Sequence, residues 1–120
     1  LKKLSEDPIT SKTPTIVFAR DPKCNLSEFK LDTLSCYGMF TSIDPCNAIR
    51  VFKGSHALQG NLDPKILLEE DSVIKESFIK MLSEFNDFPG YIFNLGHGIT
   101  PDINPDKVKV LVEAIRESGS

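Results

Sequence analysis

Four short apolar segments, separated by helical patterns, constrain the fold of this chain more than any other feature. The segments are PTIVFA (14–19), CYGMFTS (36–42), HALQGNL (56–62) and YIFNLG (91–96). None of them alternates cleanly between apolar and polar residues, and near-continuous apolar runs are typical of strands buried on both faces of a parallel sheet. The sequence therefore predicts four parallel β-strands covered by helices, which is an α/β fold.

Helical spacing of apolar residues occupies the regions after these segments. Asp44 and Asn104 are predicted N-caps, and each is followed by a proline at the first helical position. In the last helix the residues predicted to share an apolar face are Val108, Leu111, Val112 and Ile115. The predicted helices cover 25–34, where the pattern is weak, 44–52, 71–85 and 104–117. Strand and helix thus alternate four times.

The number of strands leaves two architectures open. A closed (β/α)₈ barrel contains eight such units in roughly 250 residues, so the 120 residues of this chain would hold about half of one. The alternative is a small, open, doubly wound sheet. In either case we interpret residues 1–120 as a single unit.

Charge and cysteine content narrow the class of protein. The formal net charge of -3, with Lys and Arg scattered along the chain, argues against a nucleic-acid surface. No apolar run reaches the length needed to cross a membrane. Three cysteines, Cys24, Cys36 and Cys46, leave an odd thiol and show no CxxC spacing. This usage favours a reducing compartment, with the cysteines as packing residues.

Functional side chains of parallel α/β folds gather where the strands end, and His97 is the sharpest candidate there. It lies between Gly96 and Gly98, so that a ligand and the backbone can approach closely, and its imidazole can donate to a carboxylate or carry a proton. The alternative is a tight glycine turn in which His97 caps a carbonyl. The candidate positions are 19–21, 41–42, 59–61 and 94–98.

Other chemistries find little support in the sequence. His56 precedes the third strand, at the end of a barrel that contributes to stability, and we interpret it as structural. The histidines and cysteines never fall at the short intervals that preorganise a zinc site. The segment GNLDP (60–64) lacks the glycine spacing and lysine of a P-loop, and GSHALQG (54–60) is no dinucleotide fingerprint. No Ser-His-Asp pattern is recognisable.

Two segments of the chain resemble uroporphyrinogen decarboxylases. They are ALQGNLDP (57–64) and YIFNLGHGITPDINPDKVKVLVEAI (91–115), which are similar to that family's LQGNLDP and NLGHG segments in order and in separation. PTIVFARD (14–21) is similar to a P.I.FAK strand of the family, and YGMFTSIDPCNAIR (37–50) matches more loosely. The resemblance covers roughly residues 14–117.

This resemblance implies the C-terminal half of a (β/α)₈ TIM barrel. It implies an enzyme of haem and porphyrin biosynthesis that removes the four acetate carboxyls of uroporphyrinogen, giving coproporphyrinogen, without a metal or organic cofactor. The histidine of the family's NLGHG segment lines the substrate cleft, which makes His97 a substrate-binding residue. The parent enzyme is then expected to be a homodimer in the cytoplasm, with a plastid as the other possible compartment.

Several functional residues of the family have no counterpart in this sequence. The family's aspartate that faces the pyrrole nitrogens, the arginines of its RQAGR segment, and its cleft tyrosine and serine belong to an earlier part of the sequence, so the chain alone is expected to be inactive. Where the family usually reads GLDW, this chain has Gly38-Met39-Phe40-Thr41. Phe40 in place of an acid favours the alternative of a non-catalytic half-barrel binding or scaffold protein. A corrinoid-linked methyltransferase would need thiolate and imidazole zinc ligands, which are not found.

Overall fold

The sheet contains four parallel strands in the order in which they occur along the chain. A computed structural model describes residues 12–20 and 25–119. Its strands are β1 (Ile16–Phe18), β2 (Cys36–Gly38), β3 (Ala57–Gln59) and β4 (Tyr91–Ile92). Each strand pairs in parallel with the next, so the spatial order is β1-β2-β3-β4. Within the described residues the two outer strands have one strand neighbour each, and the sheet is not closed.

This topology confirms the α/β class and distinguishes between the two architectures. A doubly wound sheet reverses its strand order at one point, whereas a (β/α)₈ barrel adds each strand beside the previous one. The observed sequential order therefore agrees with part of a barrel. All four predicted strands are confirmed, although each is shorter than its apolar segment.

Three α-helices follow the last three strands. Their predicted starts are confirmed, because the Asp44 carboxylate accepts from the Cys46 amide at 3.2 Å and the Asn104 side-chain oxygen accepts from the Asp106 amide at 2.9 Å. The helices are α1 (Pro45–Phe52), α2 (Asp71–Glu84) and α3 (Pro105–Gly119), and two 3₁₀ helices cover Leu26–Phe29 and Pro64–Leu68. The helix predicted over 25–34 is thus only one 3₁₀ turn. Its buried residues Leu26 and Phe29 are three apart, which places both on one side of a 3₁₀ helix.

The first hydrophobic core lies between the sheet and α1. Tyr37 of β2 and Phe52 of α1 are fully buried, and their rings stack at 5.1 Å. The Phe29 ring also packs on Tyr37, at 5.0 Å between centroids. Leu58 of β3 and Phe85, just after α2, complete the cluster. This core therefore fixes the face of the sheet that is turned toward the helices.

A second core lies between α2, α3 and the segments that follow β3 and β4. Phe78 is 2% exposed and packs edge-on against the Phe93 ring at 4.9 Å. Met81 of α2 packs against both cores, and it therefore joins them. The predicted apolar face of α3 is wrong at one position, because Val112 is 38% exposed whereas Ala114 is buried. Ala114 is therefore the residue of this stretch of α3 that belongs to the second core.

The opposite face of the sheet is largely uncovered. Paired residues of parallel strands point to the same side, so Phe18, Gln59 and Ile92 share one face with Ile16. We call this the inner face. Ile16, Phe18 and Ile92 are 54%, 51% and 45% exposed. The prediction that the first strand is buried on both faces is therefore wrong for the described residues, because its two residues on the inner face are more than half exposed.

The cysteines divide between two environments. Cys36 on β2 is buried, and its burial raises the pKa of the thiol, as suits a packing residue. Cys46 on α1 is exposed, so its predicted packing role is wrong. It lies in the first turn of a helix, where Asp44 caps the backbone and the side chain points to solvent. Cys24 lies outside the described residues.

The second core yields a test of stability. Phe78→Ala should lower the free energy of unfolding by about 3–5 kcal/mol, the cost of leaving a cavity in place of a buried phenyl ring. Ile79→Ala is the matched control, because Ile79 is the next residue on the same helix and is 61% exposed. Urea unfolding followed by circular dichroism measures both variants. Equal losses in the two variants would contradict the assignment of Phe78 to the core.

The inner face yields a test of association. Unpaired strand edges beside exposed apolar side chains favour pairing with another chain, so the isolated chain should self-associate, with β1 of one copy beside β4 of the other. Ile92→Lys should weaken this association because it places a charge on the inner face, whereas Ile79→Lys on the outside of α2 should not. Chromatography with light scattering gives the mass of each species. A folded monomer of the unmodified chain at high concentration would contradict this expectation.

Candidate functional site

Three loops meet at the carboxyl edge of the sheet. They follow β2, β3 and β4, and the backbone connects the last two directly, since Leu62 forms a parallel bridge with Leu95. The Gly96 amide donates to the Leu62 carbonyl at 2.8 Å. The segments LQGNLDP and NLGHG are therefore neighbours in space. Of the predicted positions after β1, Arg20 is exposed and Asp21 lies outside the described residues.

His97 is held by a residue from the loop after β2. Its Nδ1 lies 2.5 Å from the hydroxyl oxygen of Thr41. Gly96 makes this approach possible, because a Cβ at that position would lie 2.7 Å from both the Cα and the backbone nitrogen of Thr41. Close packing against Thr41 therefore explains why a glycine precedes His97. The alternative was a tight turn in which His97 caps a carbonyl, but its Nδ1 contacts a hydroxyl instead.

An aromatic wall stands beside His97. The Phe40 ring lies 5.5 Å from the imidazole ring, and the Phe18 ring lies 6.1 Å from Phe40, both measured between centroids. Phe18 belongs to the inner face, so the wall continues from the sheet to the loop that carries His97. Apolar rings so close to the imidazole reduce the water around it and strengthen any hydrogen bond that it forms with a ligand.

The loop after β3 is fixed by a buried amide. Asn61 is 4% exposed, and its side-chain nitrogen donates to the carbonyls of Phe40 at 2.9 Å and of Ile43 at 2.7 Å. Both acceptors belong to the loop after β2, so Asn61 ties two of the three loops together. Its own side-chain oxygen is buried without a hydrogen-bond partner in the described part of the chain.

Tyr91 fixes the same loop from β4. Its hydroxyl donates to the Gly60 carbonyl at 2.5 Å, and its ring stacks on Phe85 at 3.9 Å. Burial, with a smaller contribution from the Glu84 carboxylate, raises the pKa of Tyr91 above its usual range, so the phenol stays protonated and keeps donating. Gly60 has a φ of 117°, and a Cβ there would lie 2.9 Å from the Met39 carbonyl oxygen. Only glycine therefore fits this position.

Two adjoining cavities open on the inner face below these loops. The cavity of about 370 Å³ is lined by Phe18, Asn94, Leu95, His97 and Gly98. The smaller cavity, of about 130 Å³, shares three of these residues and is lined by Ile16, Phe18, Gly38, Met39, Gln59, Asn94 and Leu95. Among the described residues these linings contain no Asp, Glu, Lys or Arg. His97 is therefore the titratable side chain of this cleft.

The second histidine lies at the opposite end of the sheet. His56 immediately precedes β3, and its Nε2 lies 2.6 Å from the Leu31 carbonyl oxygen while its Nδ1 lies 2.9 Å from the Ser55 hydroxyl. Its ring also meets Phe52 edge-on at 5.6 Å. Both ring nitrogens thus contact the protein, in agreement with a structural role.

The sequence located these site residues but not the contacts between them. The sequence identified His97 and the loops around it, but the contact between His97 and Thr41 joins residues 56 positions apart and has no local signal. Gly60 and Asn61 lie within the candidate positions 59–61, but the sequence does not indicate the contacts that fix them. The described residues contain no cluster of His, Cys, Asp and Glu able to hold a metal ion, and no helix among them is long and apolar enough to span a membrane.

Known proteins are similar to this chain over most of its length. The family model described as Uroporphyrinogen decarboxylase (URO-D) matches residues 1–118. A protein named uroporphyrinogen decarboxylase from Chloroherpeton thalassium is 38% identical over 109 residues, which cover 88% of this chain and 31% of that protein. One of the same name from Alcanivorax borkumensis is 37% identical over 106 residues, covering 88% of this chain and 30% of the relative.

A shorter match is closer in sequence. The protein of the same name from Vesicomyosocius okutanii is 54% identical over 59 residues, which cover 49% of this chain and 17% of the relative. The chain therefore spans about 31% of the length of the curated relatives that match most of it. The resemblance deduced from LQGNLDP and NLGHG is confirmed, and with nearly every residue inside the family match, this chain belongs to the uroporphyrinogen decarboxylase family.

Proposed function

We propose that the protein to which this chain belongs is a uroporphyrinogen decarboxylase, a carboxy-lyase that converts uroporphyrinogen to coproporphyrinogen. The observation that carries the proposal is the family match over residues 1–118. In each of the four steps an acetate side chain on a pyrrole takes up a proton and loses carbon dioxide, which leaves a methyl group. The ring carbon is protonated first, and loss of carbon dioxide then leaves an exocyclic methylene. The methylene takes up a second proton while the ring carbon gives up its own, so one proton is consumed in each step. The site must therefore stabilise a transient cation and hold the carboxylates still.

His97 is proposed to bind a carboxylate of this substrate. Its ring lines the larger cavity at the carboxyl edge of the sheet, where barrels of this type place their sites. The apolar rings beside it favour a strong hydrogen bond to an anion because they exclude water. No catalytic residue is assigned within this chain.

The remaining parts of the enzyme are proposed to come from outside residues 1–120, which form a single unit of a larger barrel. A substrate with many carboxylates requires cations, and the linings of the two cavities in the described residues provide none beyond His97. We propose that the parent enzyme is a homodimer of the cytoplasm, or of a plastid, that works without a metal or organic cofactor and binds no nucleic acid. The net charge of -3 supports the last point.

A non-catalytic binding or scaffold protein is the second candidate. The observation that favours it is Phe40, which stands where the family usually has an acid and which lies 5.5 Å from His97 between ring centroids. A full-length protein that binds uroporphyrin but releases no carbon dioxide from uroporphyrinogen would favour this candidate.

The isolated chain should not decarboxylate uroporphyrinogen. Positioning accounts for much of the rate enhancement of enzymes, and the described residues supply only one wall of a cleft. Chromatography of the porphyrinogens after incubation, with a related full-length enzyme as the positive control, tests this expectation. Turnover by the purified chain, resistant to further purification, would contradict it.

In the full-length protein, His97→Asn should lower kcat/KM by about 10- to 100-fold, because asparagine carries no charge and has no donor in the place of Nε2, and a hydrogen bond to a charged group contributes roughly 1.5–3 kcal/mol. Asparagine is of similar size and still forms hydrogen bonds, so the fold should be retained. The matched control is His56→Asn, which should leave turnover unchanged. Initial rates and the accumulation of partly decarboxylated products measure the effect, and equal behaviour of the two variants would remove the assigned role of His97.

A further inference from the structure

We propose that Thr41 is a positioning residue that fixes His97 as the tautomer with its proton on Nε2. The contact is between the Thr41 hydroxyl oxygen and His97 Nδ1, 2.5 Å apart. A neutral imidazole has one donor nitrogen and one acceptor nitrogen, and the hydrogen bond at one of them decides the role of the other. The Thr41 hydroxyl donates to Nδ1, so Nε2 carries the hydrogen.

The direction of this hydrogen bond follows from its two partners. If Nδ1 were the donor, the hydrogen of the Thr41 hydroxyl would lack an acceptor in the described part of the chain, and Nε2 would be a bare acceptor. With Thr41 as the donor, the hydroxyl hydrogen has a partner and the imidazole keeps an N–H for a ligand. Since a carboxylate can only accept, the second arrangement is the one that binds it.

The backbone around Thr41 is held firmly enough to act as a positioning element. Asn61 donates to the carbonyls of Phe40 and Ile43, which lie on the two sides of Thr41 in sequence. On the His97 side of the contact, the backbone of Gly96 lies so close to the Thr41 backbone that a Cβ at position 96 would clash with it. The loops after β2, β3 and β4 are therefore linked through Asn61, Thr41 and His97.

The inference deepens the proposed function, on which the role of the bound carboxylate rests, but the tautomer itself does not depend on that function. The chain contains two histidines. Labelling histidine with ¹⁵N and correlating the ring nitrogens with the ring protons resolves both residues, and His97→Asn identifies their signals. The measurement is made at about pH 9, where an ordinary imidazole is neutral.

The expected spectrum has His97 as a single tautomer protonated at Nε2. Thr41→Ser, which keeps the hydroxyl, should preserve this pattern, whereas Thr41→Val, which removes it at similar size, should give ring nitrogens averaged between tautomers. Thr33→Val is the matched control, because Thr33 is also half-buried but precedes β2 instead of following it. A protonated Nδ1 in the unmodified chain, or a Thr41→Val spectrum identical to it, would overturn the proposal.

His56 reports on folding in the same spectra. If Thr41→Val shifts the His56 signals as well, the substitution has disturbed the whole fold. The Thr41→Ser spectrum then tests the proposal. That variant must then match the unmodified chain at His97, and a mismatch overturns the proposal.

A binding experiment tests this inference separately from the proposed function. Uroporphyrin, the stable oxidised form of the macrocycle, is titrated into the full-length protein and followed by its fluorescence. Thr41→Val should weaken binding by about three- to tenfold, the range of one lost hydrogen bond. In the His97→Asn background the same change should have no further effect, because Thr41 acts through His97. Full additivity of the two changes would contradict the positioning role.

Failure of the full-length protein to bind uroporphyrin would count against the proposed function. It would leave the ¹⁵N result for His97 unaffected. The two failures are thereby distinguished.

Discussion

Parallel pairing of the strands in sequence order is the constraint on which the site depends. Because every strand runs the same way, the residues that follow β2, β3 and β4 emerge at one edge of the sheet. Thr41 and His97 are 56 positions apart in the chain, yet they meet across the loop that follows β3. An antiparallel sheet of the same strand order would have sent the loop after β3, with Asn61, to the opposite edge.

The sequence was sufficient for the fold but only for part of the site. Apolar runs and N-caps such as Asp44 are local signals, and they predicted all four strands and the starts of the α-helices after β2 and β4. Burial was harder to predict. Ile16 and Phe18 belong to a typical buried strand, yet they are exposed here, because the cover of a strand depends on elements distant in sequence. The predicted burial of Val112 is wrong for a similar reason, because the position of α3 against its neighbours buries Ala114 instead.

The contacts that hold the site were beyond sequence reasoning. Asn61 is a buried polar residue in a loop, and its two carbonyl acceptors belong to another loop. Nothing in the local pattern indicates such partners, since a hydrogen bond between loops depends on the register of the strands before them. His97 could be identified because its flanking glycines are a local feature. The steric reason for Gly96, however, lies in the position of Thr41.

The contact of Met81 with both cores has a consequence for the dynamics of the protein. The segment of α2 before Met81 packs with α3, whereas the residue that follows the helix, Phe85, packs with the sheet. A flexible thioether joins the two cores more loosely than a branched or aromatic side chain would. The second core, which includes Leu62 and Ile103 of the loops as well as α2 and α3, can therefore open before the first core does. Amide protons of α3 should then exchange with solvent sooner than those of β2 and β3.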